Sequence, residues 1–252
     1  MLLGYSTPVT QASTGLTTTA TINTSLAYLK DGRPGALCEL VIGGTSNQLF
    51  ASFADPIRCR VIALINVSFA VGASVTATFR IGGGGYGTDS QVSQVVETAS
   101  GDKCVFWSVD KSNVTGVSFV LPDGTHTIGE IWASDALDYC IRSSWASGVG
   151  NINKDVSLSG AVYKAPAVPR RTVFAEFAPR SYDNDFVEFR KAQLAISDDP
   201  RIIIVPDNAS QGAIESTGMY ARATAIGDLE GSDAGRFFSF AIEAEEMPGR
   251  RP

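Results

Sequence analysis

Arg201-Ile-Ile-Ile-Val-Pro-Asp207 places four apolar residues in a row, three of them consecutive β-branched Ile, between an arginine and a Pro-Asp stop. Such a run has no polar side to offer water, so a strand over 202–205 is expected to be covered on both faces. Moving outward, Asp185 sits three residues before Glu188, the spacing of a helix capping box, and Phe186, Phe189, Leu194 and Ile196 supply an apolar side. The pattern predicts a helix over 185–196, ended by Pro200. A strand over 172–177 precedes it, stopped by Pro179. Strands over 220–226 and 237–244 follow, the second with Phe238, Phe240, Ile242 and Ala244 on one face. Residues 172–252 therefore read as a small α/β domain with an extended C-terminus.

Upstream the text is β. Val75, Ala77, Phe79 and Ile81 alternate with Thr76, Thr78 and Arg80, the signature of a half-buried strand. Further strands are expected at 37–42, 48–53, 60–67 and 104–109. Leu121-Pro-Asp-Gly124 predicts a hairpin between 117–121 and 127–133, since Pro fixes φ and Gly accepts a left-handed backbone. Strands at this spacing close into an antiparallel β-sandwich or jelly roll. The expected organisation is an extended arm over 1–20, a β-sandwich over 21–146, a linker over 147–171 and the α/β domain. The linker is marked by Ser147-Gly-Val-Gly-Asn-Ile-Asn153 and Lys164-Ala-Pro-Ala-Val-Pro-Arg-Arg171.

Composition narrows the partners. With 252 residues the chain can bury a sizeable core, and 25 glycines with only 18% charged residues favour short strands and turns. A net charge of −6 gives no footprint for a phosphate backbone, so nucleic acid is not expected as a partner; the pairs Arg58/Arg60, Arg170/Arg171 and Arg250/Arg251 read as solvated surface. The longest apolar stretch, 61–71, is interrupted by Asn66 and Ser68 and is too short for a membrane helix, so no membrane insertion is expected. The start of the chain lacks the features of a cleaved export signal, which makes the four sequons at Asn23, Asn66, Asn113 and Asn208 incidental. Cys38, Cys59, Cys104 and Cys140 are dispersed and read as small buried hydrophobes.

Catalytic machinery is not expected. The single histidine, His126, lies beside a turn, and nucleophile triads or histidine metal sites need more than that. Asp183, Asp185, Glu188, Asp198 and Asp199 could supply a carboxylate pair, but helix capping and a polar helix exit account for them. Gly82-Gly-Gly-Gly-Gly-Tyr-Gly87 contains a literal G-x-G-x-x-G. It follows a half-exposed strand and precedes no helical stripe, so it reads as a loop at a sandwich end, and no cofactor or metal is implied. Aromatic residues leave one binding option. Tyr86, Trp107, Trp132, Tyr139 and Trp145 could stack against sugars; Trp132 reads as packed, and Tyr86 and Trp145, in loop-like text, are the candidate glycan contacts.

Taken in order, Leu29-Lys-Asp-Gly-Arg-Pro34, Thr127-Ile-Gly-Glu-Ile-Trp-Ala133, Gly160-Ala-Val-Tyr163 through Arg170-Arg-Thr-Val-Phe174, and Ile202-Ile-Ile-Val-Pro-Asp207 resemble a group of tailed-bacteriophage virion proteins of the tail tip or baseplate. The resemblance implies a galactose-binding-like jelly roll joined to a small C-terminal α/β unit. It also implies a structural role in the virion tail after assembly in the host cytoplasm, contacts with other tail proteins, and a homo-oligomer, trimeric or hexameric about the tail axis. Recognition of a host surface glycan is the alternative function. Where members of that group usually carry a basic residue after Ile-Gly, this chain has Glu130.

Overall fold

The computed structural model describes residues 1–7, 9, 14–44, 48–83, 86–138, 140–149, 154–156, 162–164, 169–177, 182–227, 230–232 and 237–247, with the backbone alone at 86–88, 141–142, 145, 147–149, 154–156, 162–164, 169, 182–186, 230–232 and 237–240. In chain order the strands are β1 (Leu2–Tyr5), β2 (Gly15–Thr18), β3 (Thr21–Ile22), β4 (Cys38–Ile42), β5 (Leu49–Val67), β6 (Ser74–Ile81), β7 (Tyr86–Gln94), β8 (Val96–Glu97), β9 (Lys103–Val120), β10 (Gly124–Ser134), β11 (Ala136–Leu137) and β12 (Cys140–Val149). There follow β13 (Lys154–Val156), β14 (Val162–Lys164), β15 (Pro169–Phe177), helix α1 (Tyr182–Asp198), β16 (Arg201–Val205), helix α2 (Gln211–Thr217), β17 (Met219–Ile226), β18 (Glu230–Ser232) and β19 (Phe237–Glu246). A 3-10 turn over Leu26–Lys30 starts at Ser25, whose hydroxyl accepts from the Ala27 amide. The fold is mainly β, an antiparallel sandwich followed by a smaller helix-bearing unit.

The first sheet runs β3-β4-β10-β5-β9-β6-β7, with β2 on β5 and β8 on β9. β5 and β9 are long enough to serve both layers of the sandwich. The first half of β5 pairs with the end of β9, Leu49 opposite Phe119, and its second half with the start of β9, Ile65 opposite Cys104. Sequence reading split each into two strands. Between Ser52 and Val61 the ladder shifts register instead, an irregularity that bends the strand without ending it. Leu49, Phe79, Trp107, Phe119, Leu40 and Ile131 fill the space between the layers. Leu121-Pro-Asp-Gly124 does not make the expected hairpin: β10 pairs with β4 and β5 and lies apart from β9 in the sheet. The turn carries the chain from one layer to the other.

The second sheet runs β11-β1-β16-β17-β19-β15-β12, with β18 on β19, and all its pairings are antiparallel. Here β16 meets the expectation for its four apolar residues. Ile202 and Ile204 join a core that includes Phe189, Ala192 and Ile196 of α1. Ile203 and Val205 join a second core with Val61, Ala63, Ile65, Phe106 and Trp132 of the first sheet. The strand is thus covered by a helix on one side and by the sandwich on the other. Alternating side chains on a pleated strand require both covers.

Three boundaries differ from the sequence reading. The extended arm over 1–20 begins with β1, which is held between β11 and β16, Leu3 opposite both Leu137 and Ile204. Residues 147–171 lie partly in β12 and β15, which pair from Arg142/Glu176 to Val149/Pro169, so a linker there is replaced by a ladder. Helix α1 starts at Tyr182 instead of Asp185, and α2, unseen in the sequence, is capped by the Ser210 hydroxyl accepting from the Ala213 amide.

Candidate functional site

A strongly perturbed carboxyl lies between the two sheets. Glu130 on β10 is 0% exposed. Its Oε1 accepts from Arg201 Nη1 at 3.0 Å and its Oε2 from the Tyr220 hydroxyl at 3.1 Å. Arg201 begins β16 and also donates to Asp199, through Nε at 2.8 Å and through Nη2. Burial pushes the Glu130 carboxyl up to about 7 against the pull of Arg201 and Tyr220. Burial would raise Asp199 too, but its hydrogen bonds from Arg201 hold it below the ordinary carboxylate value. The Arg201 guanidinium is raised by those same bonds, and Tyr220 is raised first by burial and then by Glu130.

A perturbed carboxyl in a cleft would be a catalytic candidate. This one is shut off from solvent. Gly32 has φ +71 and a Cβ there would lie 2.1 Å from Arg201 Nη1, so the 3-10 turn and its exit close over the guanidinium. Gly129 would put a Cβ 2.2 Å from the Pro34 carbonyl oxygen, which seals the other side. The Asn66 amide donates to that same carbonyl at 2.8 Å. The geometry is that of a clamp: hydrogen-bonded, covered, and joining strands of both sheets. Glu130, the departure from the resembling group, is the residue through which Arg201 is tied to the sandwich.

A second ionic group ties the C-terminal unit to itself. Arg171 on β15 donates to Glu246 through Nη2 at 3.1 Å and Nε at 3.2 Å, and to the carbonyl of Gly218 at 2.8 Å. Beside it an open cleft of about 460 Å³ is lined by Arg170, Arg222, Ala223, Thr224, Glu245, Glu246 and Met247. Arg170 is paired with Glu245 at 2.8 Å, so cation and anion in this cleft largely answer each other. Among the described residues no group of three or more His, Cys, Asp or Glu is arranged to hold a metal ion.

The residues singled out in the sequence do not form one site. Trp107 and Trp132 are fully buried, their indoles donating to the Gln91 carbonyl and the Ser134 hydroxyl at 3.1 and 2.8 Å. Tyr86 opens β7 opposite Arg80, and Trp145 lies in β12 opposite Val173. These strands end two different sheets; both side chains, and all of Tyr139, lie outside the described residues. His126 is half-buried, stacks edge-on against Phe69 and meets the Asp123 carbonyl at 3.0 Å. Of the helix carboxylates, Asp199 serves Arg201 and Asp198 is exposed, while the side chains of Asp183 and Asp185 lie outside the described residues. Cys38, Cys59 and Cys104 are buried free thiols; burial raises all three, Cys104 to about 12. No helix is long and apolar enough to cross a membrane among the described residues.

Sequence reasoning missed Arg201 and Tyr220 as partners of Glu130. The signal that existed was the oddity of an acid inside Ile-Gly-Glu-Ile-Trp, where neighbours are apolar. No family model and no curated protein matches the chain. Solved structures similar to it include carbohydrate-binding modules and chains of a gene transfer agent particle. A fucose binding module of Streptococcus pneumoniae is 10% identical, with a TM-score of 0.37 over 52% of this chain and 95% of that one. A mutant lectin binding domain of Lectinolysin complexed with Lewis b is 7% identical, with a TM-score of 0.39 over 53% of this chain and 99% of that one. A chain from the tail of an empty gene transfer agent particle is 14% identical, with a TM-score of 0.28 over 45% of this chain and 81% of that one.

Proposed function

We propose that this chain is a structural protein of a bacteriophage tail, at the tail tip or baseplate, assembling with copies of itself and with other tail proteins. One observation carries the reading. Two of the segments that resemble the tail-protein group, 29–34 and 127–133, meet at one buried contact with Arg201, the residue next to the third, 202–207: Gly32 against Arg201, Gly129 against Pro34, and Glu130 on Arg201. What the resemblance traces is therefore a load of packing and pairing that fixes the shape of the molecule, which is what an assembly subunit requires. In this reading the chain turns over no substrate.

The test is position. Gold-labelled antibody to the chain, imaged on tailed particles that carry it, is expected at the distal end of the tail. Label confined to heads, or a chain recovered only outside particles, sinks the proposal. The second reading is a module that recognises a host surface glycan, and it would use Tyr86 and Trp145. It predicts a glycan-array signal that Tyr86→Ala or Trp145→Ala abolishes; a flat array dismisses it and leaves the first untouched.

A further inference from the structure

The cleft beside Arg171 has one charge left over. Its ionic lining residues are Arg170, Arg222, Glu245 and Glu246. Glu246 is 2% exposed, and both its oxygens accept from Arg171, through Nε, Nη2 and the backbone amide. Glu245 accepts from Arg170 through Oε1 at 2.8 Å. Arg222 is exposed and pairs with no acid among the described residues. Its guanidinium stays charged at any ordinary pH.

The ladder shows why Arg222 stays unanswered. It lies opposite Arg201 on one side and opposite Glu245 on the other. Residues directly opposite share a face of the sheet, and like charges so placed are destabilising. Arg201 is committed to Asp199 and Glu130, and Glu245 to Arg170, so neither neighbour neutralises the guanidinium. Just beyond it the register breaks. Ala223 faces Ala244 and Ala225 faces Glu243, which leaves Thr224 as the extra residue of a bulge on β17. Bulges re-aim side chains and are frequent beside functional sites. Thr224 is exposed within the cleft. The apolar part of the lining is buried Ala223 together with Met247, whose amide donates to the Tyr220 carbonyl at 3.0 Å and whose side chain packs against the core of the seam.

We propose that this cleft binds a sugar acid, a hydroxylated ring bearing a carboxylate, of the hexuronate or sialate class. The carboxylate meets the two-pronged guanidinium of Arg222. Ring hydroxyls meet the Thr224 hydroxyl and Glu245 Oε2, which accepts from no group among the described residues. Because Arg170 answers the charge of Glu245, the incoming carboxylate faces a net positive wall. Ala223 and Met247 meet the CH groups of the ring. The volume of about 460 Å³ lies within the range of small-molecule sites, about 300–1,000 Å³. An acidic side chain of a peptide would also satisfy Arg222, but it brings no hydroxyls to Thr224 and Glu245. The inference goes beyond the tail reading and puts a glycan contact at a place apart from Tyr86 and Trp145.

Titrations of the purified full chain followed by saturation-transfer NMR test it, with glucuronic acid and N-acetylneuraminic acid as ligands and with glucose, acetate and the tripeptide Gly-Glu-Gly for comparison. At least one sugar acid is expected to bind at least about tenfold more tightly than each of the three comparisons. Arg222→Gln is expected to weaken that binding at least about tenfold and to leave the melting temperature unchanged, since the side chain is exposed and unpaired among the described residues. Absence of binding by both sugar acids up to about 10 mM overturns the proposal, and so does sugar-acid binding that survives Arg222→Gln. Acetate or the tripeptide binding as tightly as the sugar acids overturns the assignment to a sugar and makes the cleft a receptor for acidic peptide. Label at the tail tip in any of these cases would leave the tail reading standing, so the two can fail separately.

Discussion

The seam between the two sheets and the rim at β12 are built from opposite materials. At the seam, β16 spends Ile203 and Val205 on the sandwich, Trp132 and Phe106 meet them, and the buried Glu130 has both oxygens occupied. At the rim, the exposed side chains are serine and alanine, and the outer backbone of the strand has no neighbour among the described residues. Large β-branched and aromatic groups give up little to be buried once and for all. Small polar ones leave the backbone approachable, and that suits a contact made after folding. The contrast separates a surface consumed in folding from one that folding leaves open.

Substitutions can break that contrast, beginning with the heaviest. Arg201→Ala leaves Glu130 buried with Tyr220 alone and should cost about 3–5 kcal/mol in chemical denaturation; a loss under about 1 kcal/mol would mean the clamp is not closed in solution. Gly129→Ala forces a methyl against the Pro34 backbone and should cost about 1–3 kcal/mol by the same measurement. Ile203→Val removes one methylene from the seam and should cost about 0.5–1.5 kcal/mol. At the rim, Ser144→Lys should move the chain's stability by less than about 0.5 kcal/mol in the same measurement.

Proton linkage sharpens the seam further. Glu130 titrates near 7 in the folded chain against an ordinary 4.5, so the native state binds this proton more tightly than the unfolded one. Its contribution to stability is fully present below about 4.5, is lost as pH rises through about 7, and is flat above that. Glu130→Gln should remove this part of the slope, read as the difference between the denaturant midpoints of the two proteins across the same window. An unchanged difference would show that the carboxyl is ionised throughout.

Much of this was legible in the residues, and the failures have causes. β16, β6 and α1 announce themselves because a run of Ile, a strict alternation and a helical stripe are local patterns. β1 is four residues long, and its reason for being a strand is β16, far along the chain. α2 carries Gly212 and a single buried apolar residue, Ile214, so no stripe marks it. The Leu121-Pro-Asp-Gly124 turn has hairpin chemistry, yet the strands it joins answer to β5 and β4. Glu130 and Arg201 lie 71 positions apart, and spacing along a chain says nothing of such a pair. The ladder across 147–171 escaped because Gly, Ser and Pro suggest a linker whether or not the backbone is paired.

The placement of β1 bears on how the molecule is made. Leu2 and Leu3 face Val205 and Ile204, a separation on the order of 200 positions, and such contacts are slow to find and vulnerable until found. While a ribosome is still reading the middle of the message, the first strand has emerged and its partner does not yet exist. The sandwich can condense early, but its outer face, with Trp132 and Phe106, stays bare until residues 201–205 arrive. Synthesis interrupted after the sandwich should therefore yield a product that is folded in part and sticky, whereas the finished chain conceals that face beneath β16.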